Sequence, residues 1–284
     1  MRKIIAVAVP KGGAGKTTTA VNLAASLAVA EKKTLLIDFD PSGACSIYLG
    51  FDLAVHEGDI FDVFTFTKHI SKVIHKTDLP NLDFIPTNIS SMQKEERLAR
   101  LTNNPYLFTN ILNHEELLGY EFIIIDCPPY IKGLTTIALT AAKSILVPVR
   151  AGQISLIALK KMFEHIKWIK SGVNKNLAIE GILLTMYEPN TKAWTLTKEE
   201  LQNKFGDYIF KTVIPKNVSM PESEFFGKPA VLFNATSKGS LAYLALAEEI
   251  ISRYASKEET NSETKSGSKS EAKAEPTPQE PQNI

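Results

Sequence analysis

The chain has 284 residues, 44% hydrophobic and 22% charged, with a formal net charge of +1. That allows one substantial core and shows no charge bias toward strongly acidic or basic partners. Its two cysteines, Cys45 and Cys127, form no Cys-x-x-Cys pair and no Cys/His cluster. They argue against a disulfide framework, a cluster ligand set and a structural zinc site, and favour a reducing compartment.

In chain order, residues 3–9, 34–40, 81–86, 121–126, 144–149, 180–187 and 210–215 read as short strands rich in β-branched residues. Ile123-Ile124-Ile125 and Ile145-Leu146-Val147 lack polar alternation, as expected of central strands covered on both faces. Helical patterns fall between the strands. Residues 16–30 are rich in Ala and Leu; Asn104-Pro105 starts a helix expected to run to 118; residues 153–170 end at Ser171-Gly172; residues 237–254 close the folded part. Alternating strand and helix predicts an α/β fold: a doubly wound, mostly parallel sheet with helices on both faces. Ligands then belong at the carboxyl ends of the strands.

One domain over 1–255 is expected, followed by a disordered polar tail over 256–284. The tail has no Leu, Val, Phe, Tyr or Trp, and its four lysines and six glutamates sum to −2. The apolar run at 4–10 is too short to span a membrane and leads straight into a glycine loop, so neither a leader peptide nor a membrane segment is expected. A cytoplasmic protein is the expectation.

The first strand runs into Lys11-Gly12-Gly13-Ala14-Gly15-Lys16-Thr17-Thr18, which opens a helix. This is the strand, loop and helix context of a phosphate loop. Gly12, Gly13 and Gly15 permit a tight turn that aims amide N–H groups at phosphate near a positive helix end. Lys16 is suited to neutralise the β- and γ-phosphates of ATP, and the Thr17 hydroxyl to ligate Mg2+. Asp38 and Asp40 follow the second strand and are expected to point to opposite faces and to take different roles; Asp126 ends the isoleucine-rich strand. Cys127, next to Asp126, has no histidine at motif spacing and reads as a buried structural thiol, as does Cys45.

Pro10 stands where a common phosphate loop has its first glycine, and Lys11 adds a second lysine. With Asp38-Phe39-Asp40-Pro41 and Ile125-Asp126-Cys127-Pro128-Pro129, the loop resembles that of the deviant-Walker ATPases of the ParA/MinD group. Over most of residues 1–254 the chain is similar to ParA/Soj-type partition ATPases. Residues 181–187, 205–207, 210–218, Gly227-Lys228-Pro229 and Ser237-Lys238-Gly239 carry that likeness. The resemblance implies an ATP-sandwich homodimer in which Lys11 reaches the partner's nucleotide, as an arginine finger does. It also implies that Asp40 orients the attacking water, that Asp38 lies near the magnesium shell, and that Asp126 holds magnesium through water. Met186, Pro215 and Asn217 would lie against the adenine.

The same resemblance implies slow, partner-stimulated ATP hydrolysis, nonspecific double-stranded DNA binding on the nucleoid, and a ParB-like adaptor. Candidate phosphate contacts are Lys192, Lys211, Lys216 and Lys238. Ser219 and Pro221-Glu222-Ser223-Glu224 stand where the family carries a further arginine and a less acidic stretch, which weakens that part of the likeness. An alternative keeps the same switch but positions a protein cargo. A MinD-like division-site regulator fits less well, since the mixed-charge C-terminal segment lacks an apolar face for lipid. A small-molecule kinase or synthetase would need an acceptor pocket that the sequence does not display.

Overall fold

The apolar runs pair into one eight-stranded sheet in the computed structural model, which describes residues 2–89 and 91–267, with side chains through residue 256. In chain order the elements are β1 (Lys3–Val7), α1 (Lys16–Val29), β2 (Thr34–Asp38), α2 (Ala44–Tyr48), α3 (Ile60–Phe64), β3 (His75–Lys76) and β4 (Leu82–Ile85). Then come α4 (Met92–Leu101), α5 (Leu107–Ile111), β5 (Phe122–Asp126), α6 (Leu134–Ala141), β6 (Ser144–Val149) and α7 (Gln153–Ser171). β7 (Ala178–Tyr187), α8 (Lys192–Phe205), β8 (Ile209–Pro215), α9 (Ser219–Phe225), α10 (Ala230–Phe233) and α11 (Lys238–Gly267) complete the chain.

The strand order is β3-β4-β2-β5-β1-β6-β7-β8, and every pair is parallel except β3 with β4. β1 lies between β5 and β6, with Ile5 opposite Ile124 and Ser144. Ile123, Ile124 and Ile125 are fully buried, as a strand covered on both faces requires. The crossovers run to opposite sides of the sheet around β1, from β1 to β2 and from β5 to β6, so the crevice beyond the carboxyl end of β1 is the natural ligand position of a doubly wound sheet. The loop of residues 8–15 occupies that crevice. The first unit, Met1–Glu248, contains the sheet; a second unit begins at Glu249.

Several boundaries differ from the sequence expectation. β1 and β2 end at Val7 and Asp38, two residues early, because the chain leaves the ladder to form the loops. The helix expected over 104–118 is broken into α5 and a 3-10 turn at Glu115–Leu117. The guanidinium of Arg2 accounts for the break: it donates to the carbonyls of Leu112 at 2.7 Å and Leu117 at 2.9 Å, acceptors that a continuous helix would spend on itself. The two-residue β3 and helices α2, α3, α4, α6, α8, α9 and α10 were not among the ranges expected.

α11 continues to Gly267 rather than stopping at 254, so residues 256–267 of the expected tail are helical in backbone; the rest of that expectation lies outside the described residues. Extending an existing helix needs no new nucleation, which lets it run past its last apolar residue. Among the described residues no helix is long and apolar enough to cross a membrane.

Candidate functional site

Backbone conformation builds the loop first. Gly13 and Gly15 have φ of 65° and 85°, in the left-handed region where a side chain is strained. Gly15 is the N-cap of α1, so the amide groups of the first turn face the loop. Gly12 differs: its φ is not left-handed and an added Cβ would meet nothing within 4 Å, so the fold of one chain does not itself demand glycine there. Ala14 is buried, and its carbonyl accepts a hydrogen bond from Thr185 Oγ1 at 2.9 Å, which ties the loop to β7.

Lys16 is buried and donates from Nζ to the Lys11 carbonyl at 3.1 Å. Burial lowers its pKa, against the opposing pull of Asp126 and Asp40. Lys11 lies at the surface. Its pKa is lowered by partial desolvation and by the cation of Arg150, which follows β6. Arg150 is exposed and also comes within 3.9 Å of where a Gly13 Cβ would sit, so a second cation stands beside the loop. Arg150 was not singled out from sequence, where it is one basic residue after a strand.

The carboxylates gather below the loop. Thr17 Oγ1 donates to Asp126 Oδ2 at 2.7 Å, joining residues 109 positions apart. Asp38 is fully buried and accepts from the backbone N–H of Asp40 at 2.9 Å and of Cys45 at 3.1 Å. Residues two apart on a strand share a face, so the expectation that Asp38 and Asp40 point to opposite faces does not hold. What separates them is the end of β2: Asp38 stays in the sheet, while Asp40 lies in the following turn and accepts from Ser42 N–H at 3.0 Å. Between them Phe39 is fully buried, with ring centroids 4.9 Å from Phe108 and 5.4 Å from Phe64, both edge-on, which anchors the turn.

Burial pushes the Asp126 pKa up to about 7, with the charge of Asp40 adding to it, and burial likewise raises that of Asp38, with the charge of Asp126 adding to it. Cys45 Sγ lies 3.5 Å from Asp126 Oδ2, and both thiols are buried with raised pKa, which fits the inert reading of Cys45 and Cys127. Asp126 Oδ1 is buried without a hydrogen-bond partner among the described residues. A hydroxyl and carboxylate oxygens around an orphaned, buried acceptor form a hard donor set suited to Mg2+.

Beside the loop opens a cavity of about 560 Å³, a size suited to a small ligand, lined by Gly15, Thr18, Met186, Pro215, Asn217 and Tyr243 among others. The structure therefore brings the three proposed adenine neighbours to the phosphate loop. Asn217 Oδ1 accepts from Ser219 N–H at 2.7 Å. Met186 has a φ of 54°, and its carbonyl accepts from the Trp194 indole at 3.2 Å. Tyr48, missed in the sequence, places its hydroxyl 2.9 Å from Thr18 Oγ1 at the cavity wall.

The lysines considered for nucleic acid sit on separate elements. Lys192 opens α8, Lys211 lies on the edge strand β8, and Lys238 opens α11. Lys216 lines the cavity, and its ammonium pairs with Glu188 at 2.8 Å.

A parallel sheet whose first strand delivers a lysine-bearing glycine loop onto a helix N-terminus, above a threonine–aspartate pair, defines a phosphate-loop nucleotide-binding protein. A family model described as an AAA domain matches residues 2–179. The chain is 35% identical over 257 residues to the chromosome partitioning protein ParA of Caulobacter vibrioides, covering 90% of this chain and 96% of that one. It is 38% identical over 250 residues to the sporulation initiation inhibitor protein Soj of Bacillus subtilis, covering 88% and 98%. The septum site-determining protein MinD of Pyrococcus horikoshii, solved with Mg-ADP, superposes with a TM-score of 0.75 at 26% identity, covering 88% and 96%. The chain belongs to the ParA/Soj family of partitioning ATPases.

Proposed function

We propose that this chain is an ATP- and magnesium-dependent switch that dimerises on ATP, binds DNA without reading its sequence, and segregates it with a ParB-like adaptor that stimulates slow hydrolysis. The observation that carries the switch is the pair of neighbouring cations, Lys11 on the loop and Arg150 beside it, while the inner lysine, Lys16, already serves its own chain. A cation without a carboxylate partner among the described residues, held at the rim of a phosphate loop, is placed to meet phosphate from a second subunit.

In this reading Lys16 and the amides of residues 13–17 bind the phosphates, and Met186, Pro215 and Asn217 flank the base. Thr17 and Asp126 would hold Mg2+, with Asp38 behind them. Bound there, the ion would neutralise charge on the phosphate oxygens. Asp40, half-exposed beyond the strand end, is the carboxylate free to orient a water. Lys192, Lys211 and Lys238 remain candidates for phosphate contacts with DNA, whereas Lys216 is already engaged by Glu188 at the cavity.

Light scattering with and without ATP tests the switch. Lys11→Ala should keep ADP binding yet lose the ATP-dependent dimer and hydrolysis; an undiminished dimer in that variant would remove Lys11 from the interface. DNA binding is tested by retention on duplex DNA across salt concentrations. Affinity should fall steeply with salt, and indifference to DNA at low salt would overturn the partition role.

A further inference from the structure

Two connections that lie far apart in sequence meet at the end of β1 opposite the phosphate loop. His69 precedes the 3-10 turn Ile70–Lys72, and His114 precedes the turn Glu115–Leu117, which contains Glu116. Arg2, just before β1, fixes the second of these by its bonds to the Leu112 and Leu117 carbonyls.

One ring nitrogen from each histidine and one Glu116 carboxylate oxygen all lie within 4.8 Å of one another. His69 Nδ1 is 3.6 Å from Glu116 Oε1, and the two imidazoles meet edge-on with centroids 4.9 Å apart. Ser71 Oγ, 3.0 Å from His69 Nδ1, orients the first ring. All three side chains are exposed, so burial of apolar surface does not explain why the rings converge. No hydrogen bond to the His114 ring forms among the described residues.

We propose that His69, His114 and Glu116 form a surface zinc site, with two imidazoles and one carboxylate in three tetrahedral positions and water in the fourth. The donor set decides the metal class. Imidazole suits zinc and disfavours Mg2+ and Ca2+, which take oxygen ligands. Geometry sets the adjustment needed: ligand atoms about 2.1 Å from a tetrahedral zinc are about 3.4 Å from each other. Spacings of up to 4.8 Å therefore have to close by at most about 1.4 Å, which exposed side chains achieve by rotamer adjustment. Zinc held there cross-ties the connection before β3 to the turn before β5, away from the nucleotide crevice. The site rests on none of the nucleotide-binding residues and stands or falls apart from the proposed switch.

Isothermal calorimetry of the full-length chain with zinc chloride in excess magnesium should show one zinc bound per chain. His69→Ala and His114→Ala should each weaken that binding at least ~10-fold and leave the zinc-free ATPase rate unchanged. Zinc should raise the melting temperature of the wild-type chain but not of either variant. X-ray absorption at the zinc edge separates this site from the buried Asp38–Cys45–Asp126 cluster: nitrogen and oxygen donors alone support the assignment, and a sulfur donor overturns it. No uptake at micromolar zinc, or equal uptake in wild type and both variants, also overturns it.

Discussion

Replacing Asp126 by asparagine should make the nucleotide-free chain more stable while abolishing its magnesium-dependent nucleotide binding. Burial moves the Asp126 pKa from 3.8 to about 7, so ionising it in the folded chain costs roughly 4 kcal/mol at pH 8. Asparagine keeps the shape and an acceptor for the Thr17 hydroxyl and removes that cost, which is already net of the attraction to Lys16; burying the amide N–H groups takes back about half of it, leaving a net gain of about 2 kcal/mol. For a domain of this size that is about 4–8 °C in melting temperature. The pH dependence fixes the cause. Between pH 3.8 and about 7 the folded chain holds a proton that the unfolded chain has released, so stability falls as pH rises through that window and levels off above it. The advantage of the variant should therefore be full at pH 8 and less than half as large at pH 5. Differential scanning fluorimetry in EDTA at both values measures it. A variant that melts at or below wild type at pH 8, or whose gain is unchanged at pH 5, would refute buried ionisation as the origin.

Lys16→Ala should abolish nucleotide binding, read with a fluorescent ATP analogue, and tight binding in that variant would sink the loop assignment. Asp40→Ala should bind ATP and accumulate as a dimer without turnover; a wild-type rate would strip Asp40 of its role. Gly181→Ala places a methyl 2.5 Å from Phe210 Cε2 in the β7–β8 region and should destabilise by about 1–3 kcal/mol. Its urea midpoint should fall with ATP affinity per folded chain retained, and a wild-type midpoint would contradict the close packing.

What was legible in the sequence was whatever depends on neighbours along the chain. The glycine spacing, Lys16 and Thr17 lie within one loop, and Asp126 ends an unbroken apolar run, so both could be read directly. The pairing of Thr17 with Asp126 was implied only through family resemblance, because it spans 109 positions. Tyr48 and Tyr243 escaped notice for the same reason, since each reaches the cavity from a different element with no local spacing to mark it, and Thr185, within the 181–187 stretch, gave no sign of its bond to Ala14 across 171 positions. The broken helix at 112–117 is a further case. Its local pattern is helical enough, and the agent that ends it, Arg2, sits over a hundred residues upstream. Lys216 shows the opposite limit, since a lone lysine in sequence gives no sign that Glu188 and a cavity already claim it.

These long-range arrangements explain why a costly site persists. Asp38 and Asp126 would be cheaper as amides or apolar residues, yet their burial leaves Asp126 Oδ1 with an unmet demand for positive charge. Lys16 meets its own need by donating to the Lys11 carbonyl, which folds the lysine back into the loop and leaves the demand at Asp126 in place. A divalent cation arriving with phosphate would answer both: the ion would supply charge to the carboxylate, and the phosphate oxygens would draw the Lys16 ammonium away from its carbonyl. Binding is then coupled to relief of a folded-state penalty, so the chain should gain stability on loading more steeply at pH 8 than at pH 5, and the Asp126→Asn variant gains its advantage over the same rise in pH.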